Sequence, residues 1–120
     1  MMKKENTILD KSKAFALRMI RMYQYLCAVR REFVLSKQVL RSGTSIGTNV
    51  KEAIRGQSKA DFYSKINITL KEASETEYRL ELLNESGYFE EEHFNSVYGD
   101  CQELLKLLMA ISKTQPKTNE

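Results

Sequence analysis

The chain has 120 residues, of which 42% are hydrophobic and 29% charged, and its formal net charge is +3 at pH 7. This length favours a single domain that spans residues 1–120. The longest apolar run, residues 107–111, is far shorter than the roughly 20 residues of a membrane span. No apolar run follows the lysines near the N-terminus, so we expect neither a signal peptide nor a membrane association.

With one proline and five glycines, the composition favours an all-α fold. The first predicted helix spans about residues 10–28. Its apolar residues recur at intervals of three and four, as on the buried side of an amphipathic helix: Phe15, Met19, Met22, Tyr23 and Leu26. The sequence Arg30-Arg31-Glu32 then predicts a connection.

The second predicted helix, residues 34–55, combines a helical apolar rhythm with poor helix formers. The rhythm is carried by Leu35, Val39, Ser42, Ile46, Val50 and Ala53. Gly43 and Gly47 lie inside it, although each glycine in a helix costs roughly 0.5–1 kcal/mol relative to alanine. Because they are four residues apart, we expect them to let another backbone come close. Gly56 is the predicted stop of this helix.

Two further helices are predicted, at about residues 59–86 and 89–112. Ser58 and Asp61 resemble a capping box at the start of the third helix, and Gly87 is expected to end it. In the fourth helix the apolar spacing is that of a bundle seam: Phe94, Val97, Cys101, Leu104, Leu108 and Ile111. The polar tail, residues 114–120, is expected to be flexible. Short connections favour an antiparallel up-down four-helix bundle.

A polar cluster is predicted between the second and third helices. Arg41, Ser45, Asn49 and Glu52 share one face of the second helix, and Glu77 occupies an apolar position of the third. A carboxylate near the core needs a partner, for which Arg41 is the first candidate and Asn49 the second. The favoured interpretation is a buried polar network that fixes helix register or a subunit interface. The alternative is a binding or catalytic pocket that uses Arg41, Asn49, Glu52 and Glu77.

The charge is unevenly distributed. Residues 1–60 contain 13 Lys and Arg against 4 Asp and Glu, a net of +9, whereas residues 61–120 contain 6 against 12, a net of −6. Such asymmetry is a hint of nucleic-acid contact. The candidate phosphate-binding residues are Lys11, Lys13, Arg18, Arg21, Arg30, Arg31, Lys37, Lys51, Arg55 and Lys59. Pairing of basic early helices with acidic late helices, within or between subunits, is an equally open explanation.

The sequence offers little for catalysis or for a metal. His93 is the single histidine, which excludes a Ser/His/Asp set, and only one Glu-x-x-His element exists, at Glu90 and His93. Cys27 and Cys101 lack metal-ligand spacing and are expected to be buried free thiols, which suits a reducing cytoplasm. We therefore expect no enzyme, no cofactor and no metal site.

More apolar residues lie off the main seams than one small bundle can bury. They include Leu17, Ile20, Val29, Leu40, Ile54, Ile68, Leu82, Leu105 and Leu107. Such a wide apolar belt predicts that the chain assembles into a homo-oligomer.

Nearly the whole chain resembles a known family, and the resemblance is most specific in the middle third. The residues that carry the resemblance are Leu40-Arg-Ser-Gly-Thr-Ser-Ile-Gly-Thr-Asn-Val-Lys-Glu52, Gln57-Ser-Lys-Ala-Asp-Phe62 and Ile68-Thr-Leu-Lys-Glu-Ala-Ser-Glu-Thr-Glu-Tyr-Arg-Leu80. They resemble the four-helix bundle proteins encoded within intervening sequences of bacterial 23S rRNA genes, which are related to the accessory variability proteins of diversity-generating retroelements. The resemblance implies a ring, often a pentamer, with a suspected nucleic-acid role.

Taken together, these features favour a non-enzymatic, oligomeric, cytoplasmic protein. Its first two helices would bind RNA or DNA through backbone phosphates without strong sequence choice. The alternative function is a structural or adaptor oligomer that binds a protein partner, with the charges serving subunit pairing.

Overall fold

Four helices account for most of the chain. The computed structural model describes the backbone of residues 3–117 and the side chains of residues 7–117. The helices are α1 (Lys3–Ala28), α2 (Leu35–Ile54), α3 (Lys59–Glu85) and α4 (Glu91–Ser112), and residues 3–117 contain no strand. The predicted all-α class with four helices is confirmed. None of the described helices is both long and apolar enough to cross a membrane.

Helix α1 is longer than predicted, because it begins at Lys3 rather than near Asp10. Ile8 is only 1% exposed and Ser12 is fully buried, so the buried side of α1 extends a full turn or more before Phe15. A serine at position 12 interrupts the apolar spacing in the sequence, which hid this first part of the stripe. At the other end of the chain, residues 118–120 of the predicted flexible tail lie outside the described residues.

Helix α2 keeps the predicted rhythm in its buried face. Val39, Ser42, Ile46, Val50 and Ala53 are buried, and Leu35 is half-buried. The two glycines of α2 face α1. A methyl group added at Gly47 would lie 3.4 Å from the carbonyl oxygen of Ser12, so α1 brings its backbone close there as predicted. At Gly43 the close neighbour is a side chain, because the same methyl group would lie 2.5 Å from Met19 Cγ.

The connection between α1 and α2 contains a cap that the sequence patterns do not reveal. The Glu32 carboxylate accepts hydrogen bonds from the backbone N–H groups of Val34, Leu35 and Ser36, at 3.1, 3.0 and 2.6 Å. These groups have no partner within the helix, so Glu32 supplies what the first turn of α2 lacks. The chain turns at Arg31, whose φ of +57° lies in the left-handed region.

Helix α3 begins and ends with the signals found in the sequence. The Ser58 hydroxyl accepts a hydrogen bond from the Asp61 backbone N–H at 3.1 Å. At the other end, Gly87 has φ +84°, its N–H donates to the Asn84 carbonyl, and the Tyr88 N–H donates to the Leu83 carbonyl. This pair of bonds is the Schellman motif, which favours glycine at the left-handed position.

One core is shared by all four helices. Each helix packs against two others: α1 against α2 and α4, and α3 against α2 and α4. The centre of the core is formed by side chains that are fully buried, among them Met19, Ile46, Leu80 and Leu108. The result is a rod of 51 × 23 × 23 Å whose outer surface is made of long helix faces.

Candidate functional site

The outward face of α2 carries a strip of exposed cations. Lys37, Lys51 and Arg55, here called the α2 strip, lie within about 40° of one another around the helix and point away from its buried face. Lys37 and Arg55 are separated by about 27 Å along the axis. Among the described residues no acidic side chain forms an ion pair with any of the three. The strip therefore presents unpaired positive charge to solvent near both ends of α2.

Other predicted phosphate-binding residues are engaged inside the molecule. Lys11 Nζ lies 3.1 Å from a Glu103 carboxylate oxygen, and Arg18 donates to Asp100 at 2.7 Å and to Ser96 at 2.9 Å. Arg30 donates to the carbonyl oxygens of the loop between α3 and α4. For Lys11 and Arg18, the explanation by pairing between basic early and acidic late helices is correct, whereas Arg30 is held by backbone carbonyl groups.

The remaining predicted cations keep their charge unpaired within the described residues. Besides the α2 strip they are Lys13, Arg21, Arg31 and Lys59. Arg31 lies over the Phe33 ring, 5.5 Å from its centroid. The ten predicted residues thus divide into three whose side chains contact another part of the bundle and seven that form no ion pair among the described residues.

The polar cluster pairs Arg41 with residues other than the predicted one. Ser45 Oγ donates to Glu72 Oε2 at 2.7 Å, and the Arg41 guanidinium lies 3.8 Å from Glu72 and 3.6 Å from Glu75. Glu77 has no contact with Arg41. Glu72 and Glu77 differ by about 140° around α3, so only Glu72 can face α2. Because the Arg41 side chain is 60% exposed, these contacts lie at the surface of the α2–α3 seam.

The rest of the predicted network is local or exposed. Asn49 Nδ2 donates to the Ser45 carbonyl of its own helix at 2.9 Å, and Lys65 donates to the exposed Glu52 at 2.8 Å. The polar pair that is fully buried is a different one, in which Thr76 Oγ1 donates to Ser42 Oγ at 2.9 Å. The predicted residues therefore do not enclose a pocket; Arg41, Ser45 and Glu52 join α2 to α3, whereas Asn49 bonds within α2.

Glu77 lies instead on the side of α3 that faces α4. There the Tyr98 hydroxyl donates to the Glu81 carboxylate, a hydrogen bond that raises the pKa of Tyr98 above its ordinary value. Burial, with a contribution from the charge of Glu77, raises the pKa of the Cys101 thiol to about 12. Cys101 is fully buried as predicted, whereas Cys27 is half-buried. Within the described residues, no group of three or more His, Cys, Asp and Glu side chains is placed to hold a metal ion.

The predicted apolar belt is exposed in part. Leu17, Ile20, Val29 and Ile68 are between 41% and 62% exposed. Leu105 is buried, because it lies beside Leu104 and Leu108 on the inner side of α4, and the other four belt residues are half-buried. The connection between α1 and α2 adds two further exposed apolar side chains, Phe33 and Val34.

Comparison with known proteins assigns a family over most of the chain. The family model described as "23S rRNA-intervening sequence protein" matches residues 4–110. The chain is similar to a protein of unknown function from the S23 ribosomal protein family of Bacteroides thetaiotaomicron, whose crystal structure is 52% identical and superposes with a TM-score of 0.90. The match covers 92% of this chain and 98% of that one. Among curated proteins, none matches.

Proposed function

The chain belongs to the 23S rRNA-intervening sequence protein family, and from this membership we propose that it is a non-enzymatic, self-associating protein that binds RNA or DNA through backbone phosphates. The observation that carries the proposal is the α2 strip. Lys37 near the start of α2 and Lys51 and Arg55 near its end are exposed on one face, and no carboxylate forms an ion pair with them among the described residues.

When unpaired cations of this kind bind nucleic acid, condensed counterions are released from its phosphates, which favours binding. This favourable free energy is lost for a cation that is already ion-paired with a carboxylate of the same protein. Lys11 and Arg18 are neutralised in this way, so we assign them to the bundle and not to the ligand. Thr44 and Thr48 lie between the cations of the α2 strip, but their hydroxyls donate to backbone carbonyls of α2. The surface therefore offers charge without base-reading groups, which favours binding without sequence choice.

Self-association is the second part of the proposal. The apolar side chains of Leu17, Ile20 and Ile68 are more than 40% exposed, and a second copy would remove them from water. An antiparallel up-down bundle suits side-by-side assembly, and the ion pairs that join Lys11 to Glu103 and Arg18 to Asp100 support that helix order. In a closed ring, for which we propose five copies, one α2 strip per subunit becomes a large basic surface through avidity.

An adaptor that binds a protein partner is the second candidate function. It is supported by the exposed apolar side chains of Val29, Phe33 and Val34, which lie together at one end of the bundle. A protein partner that covers this end would leave Lys51 and Arg55, at the opposite end of α2, free. Charge reversal at Lys51 and Arg55 would then change neither the partner's affinity nor the assembly.

The test is a gel-shift titration of duplex RNA and DNA against rising salt. Affinity should fall steeply as salt rises, and Lys37→Glu with Lys51→Glu should lower it by about tenfold or more. The matched control, Lys106→Glu with Lys113→Glu, makes the same change in net charge on α4 and should lower it by less than about threefold. Absence of a shift even at low salt, or equal losses in both double variants, would overturn the proposal. Sedimentation of each variant reports whether assembly is unchanged.

A further inference from the structure

A groove of about 780 Å³ runs between α1 and α4. Its buried base is apolar and is formed by Phe15, Met22 and Leu104. Across it, the two helices are joined by the ion pairs of Lys11 with Glu103 and of Arg18 with Asp100. The volume lies in the range of small-molecule sites, which are typically 300–1,000 Å³.

Some of the charged side chains that line the groove are ion-paired and others are not. Asp100 and Glu103 are held by Arg18 and Lys11. Arg21 also lines the groove, is exposed, and has no ion pair among the described residues. Two acidic side chains are thus neutralised while one guanidinium remains available, so this part of the groove is complementary to a single anionic group. Glu90, the third acidic residue of the lining, lies at the start of α4, where the helix dipole favours it.

The walls of the groove offer aromatic rings. Tyr25 of α1 is 43% exposed, and the other rings are Tyr88 and Phe89, in the connection before α4, and His93 of α4. The Phe89 and His93 rings are 5.3 Å apart and begin a row of ring contacts that continues along α4. Burial, together with the positive charge of Arg18, lowers the pKa of His93, so its imidazole is a neutral ring at neutral pH. Partly exposed rings around an apolar base are what a flat heterocycle stacks on.

We infer that this groove binds one unpaired nucleotide, with its base against the rings of Tyr25, Tyr88, Phe89 and His93 and its phosphate on Arg21. The inference depends on the proposed function for the source of that nucleotide, which is an unpaired position in the bound nucleic acid. A base inside a duplex is stacked between its neighbours and cannot enter a groove between helices. The α2 strip would therefore hold any phosphate backbone, and the groove would add affinity for single strands only.

The single histidine makes a direct test possible, because its imidazole gives one set of NMR signals in a chain with no other histidine. Adenosine 5′-monophosphate should shift the His93 signals saturably, and Tyr25→Ala should weaken this binding by about tenfold. Tyr78→Ala is the matched control, because Tyr78 is 61% exposed on α3 and does not line the groove. Inorganic phosphate alone should produce little shift at the same concentration. An equal response to phosphate, or no response to the nucleotide, would overturn the inference.

A second measurement separates this inference from the proposed function. Anisotropy of labelled single-stranded and duplex RNA of equal length should show that Tyr25→Ala weakens single-strand binding by about tenfold and leaves duplex binding unchanged. If Tyr25→Ala alters neither while duplex binding keeps its salt dependence, the groove inference fails and the proposed function stands. If the unchanged protein shifts His93 with the nucleotide but binds no polymer, the proposed function fails and the groove takes a free nucleotide.

Discussion

Glu32 and Ser36 bind each other twice at the start of α2. The Glu32 carboxylate accepts from the Ser36 backbone N–H at 2.6 Å, and the Ser36 hydroxyl donates to the Glu32 backbone carbonyl at 2.7 Å. Both side chains are buried. A charged acceptor at a helix N-terminus also interacts favourably with the helix dipole, so this pair fixes where α2 begins.

Replacement of Glu32 by glutamine should lower the free energy of unfolding by about 1–2 kcal/mol, because the first turn of α2 loses a charged acceptor. Exposed Glu85 provides the matched control, and Glu85→Gln should change stability by less than about 0.5 kcal/mol. Urea unfolding at fixed protein concentration measures both. Equal effects of the two substitutions would show that the Glu32 cap adds nothing.

The Glu32 cap also predicts how stability depends on pH. Burial alone would raise the pKa of Glu32, but the N–H groups of Ser36, Leu35 and Val34 outweigh it and hold this pKa below its ordinary value of 4.5. The contribution is therefore fully present above that ordinary value and is lost as the pH falls through the lower folded-state pKa. Unfolding curves of the Glu32→Gln variant should approach those of the unchanged protein in acid and diverge towards neutral pH. A gap that stays constant would contradict the assignment.

The two glycines of α2 should respond oppositely to alanine. At Gly47 a methyl group meets an ordinary contact with Ser12, so Gly47→Ala should stabilise by up to about 1 kcal/mol through helix propensity. At Gly43 the methyl group would press on the fully buried Met19, and Gly43→Ala should destabilise by about 1–2 kcal/mol. Thermal unfolding of both variants decides this, and a stabilised Gly43→Ala protein would show that Met19 moves aside freely.

The contact between Ser45 and Glu72 can be weighed in a double-mutant cycle. Ser45→Ala and Glu72→Gln should couple by about 1 kcal/mol, because a hydroxyl donates to a carboxylate across the α2–α3 seam. The same cycle between Ser45 and Glu77 should give a coupling near zero, since Glu77 faces α4. A larger coupling with Glu77 would return Glu77 to the predicted polar cluster.

The two thiols should differ in reactivity. Burial raises the pKa of Cys101 to about 12, so this thiol stays protonated and enclosed in mildly alkaline solution. Cys27 is half-buried, and its sulfur lies 3.7 Å from the Glu32 carbonyl oxygen. A thiol reagent should therefore label Cys27 first and Cys101 only with global unfolding. Cys27→Ser should remove the fast phase, and two fast thiols would contradict the packing around Cys101.

Local sequence signals predicted the elements well. The stripe of Val39, Ile46 and Val50 is buried as expected, because a helix that exposes one face to the core repeats its apolar residues at a fixed interval. Ser58 and Gly87 mark the ends of α3, since both act on backbone groups only a few residues away. These signals act between residues that are close in the sequence, so the sequence alone is enough to detect them.

Relationships between helices were harder to predict. The choice of Glu72 over Glu77 depends on how far α3 is rotated about its axis, which the apolar stripe fixes only to within the width of that stripe. The Glu32 cap depends on a turn at Arg31 that no glycine or asparagine announces. Whether a lysine or arginine is neutralised, as Arg18 is by Asp100, depends on residues some 80 positions away. The sequence could therefore name the candidate phosphate-binding residues, but it could not show which of them are ion-paired within the bundle.

The left-handed turn at Arg31 has a consequence for anyone who engineers this protein. A residue other than glycine costs about 1 kcal/mol in that conformation, so Arg31→Gly should raise the free energy of unfolding. The same change would delete an unpaired cation beside the exposed Phe33, at the end of the rod. At this one position, a substitution that stabilises the fold would therefore remove a charge that could bind an anion.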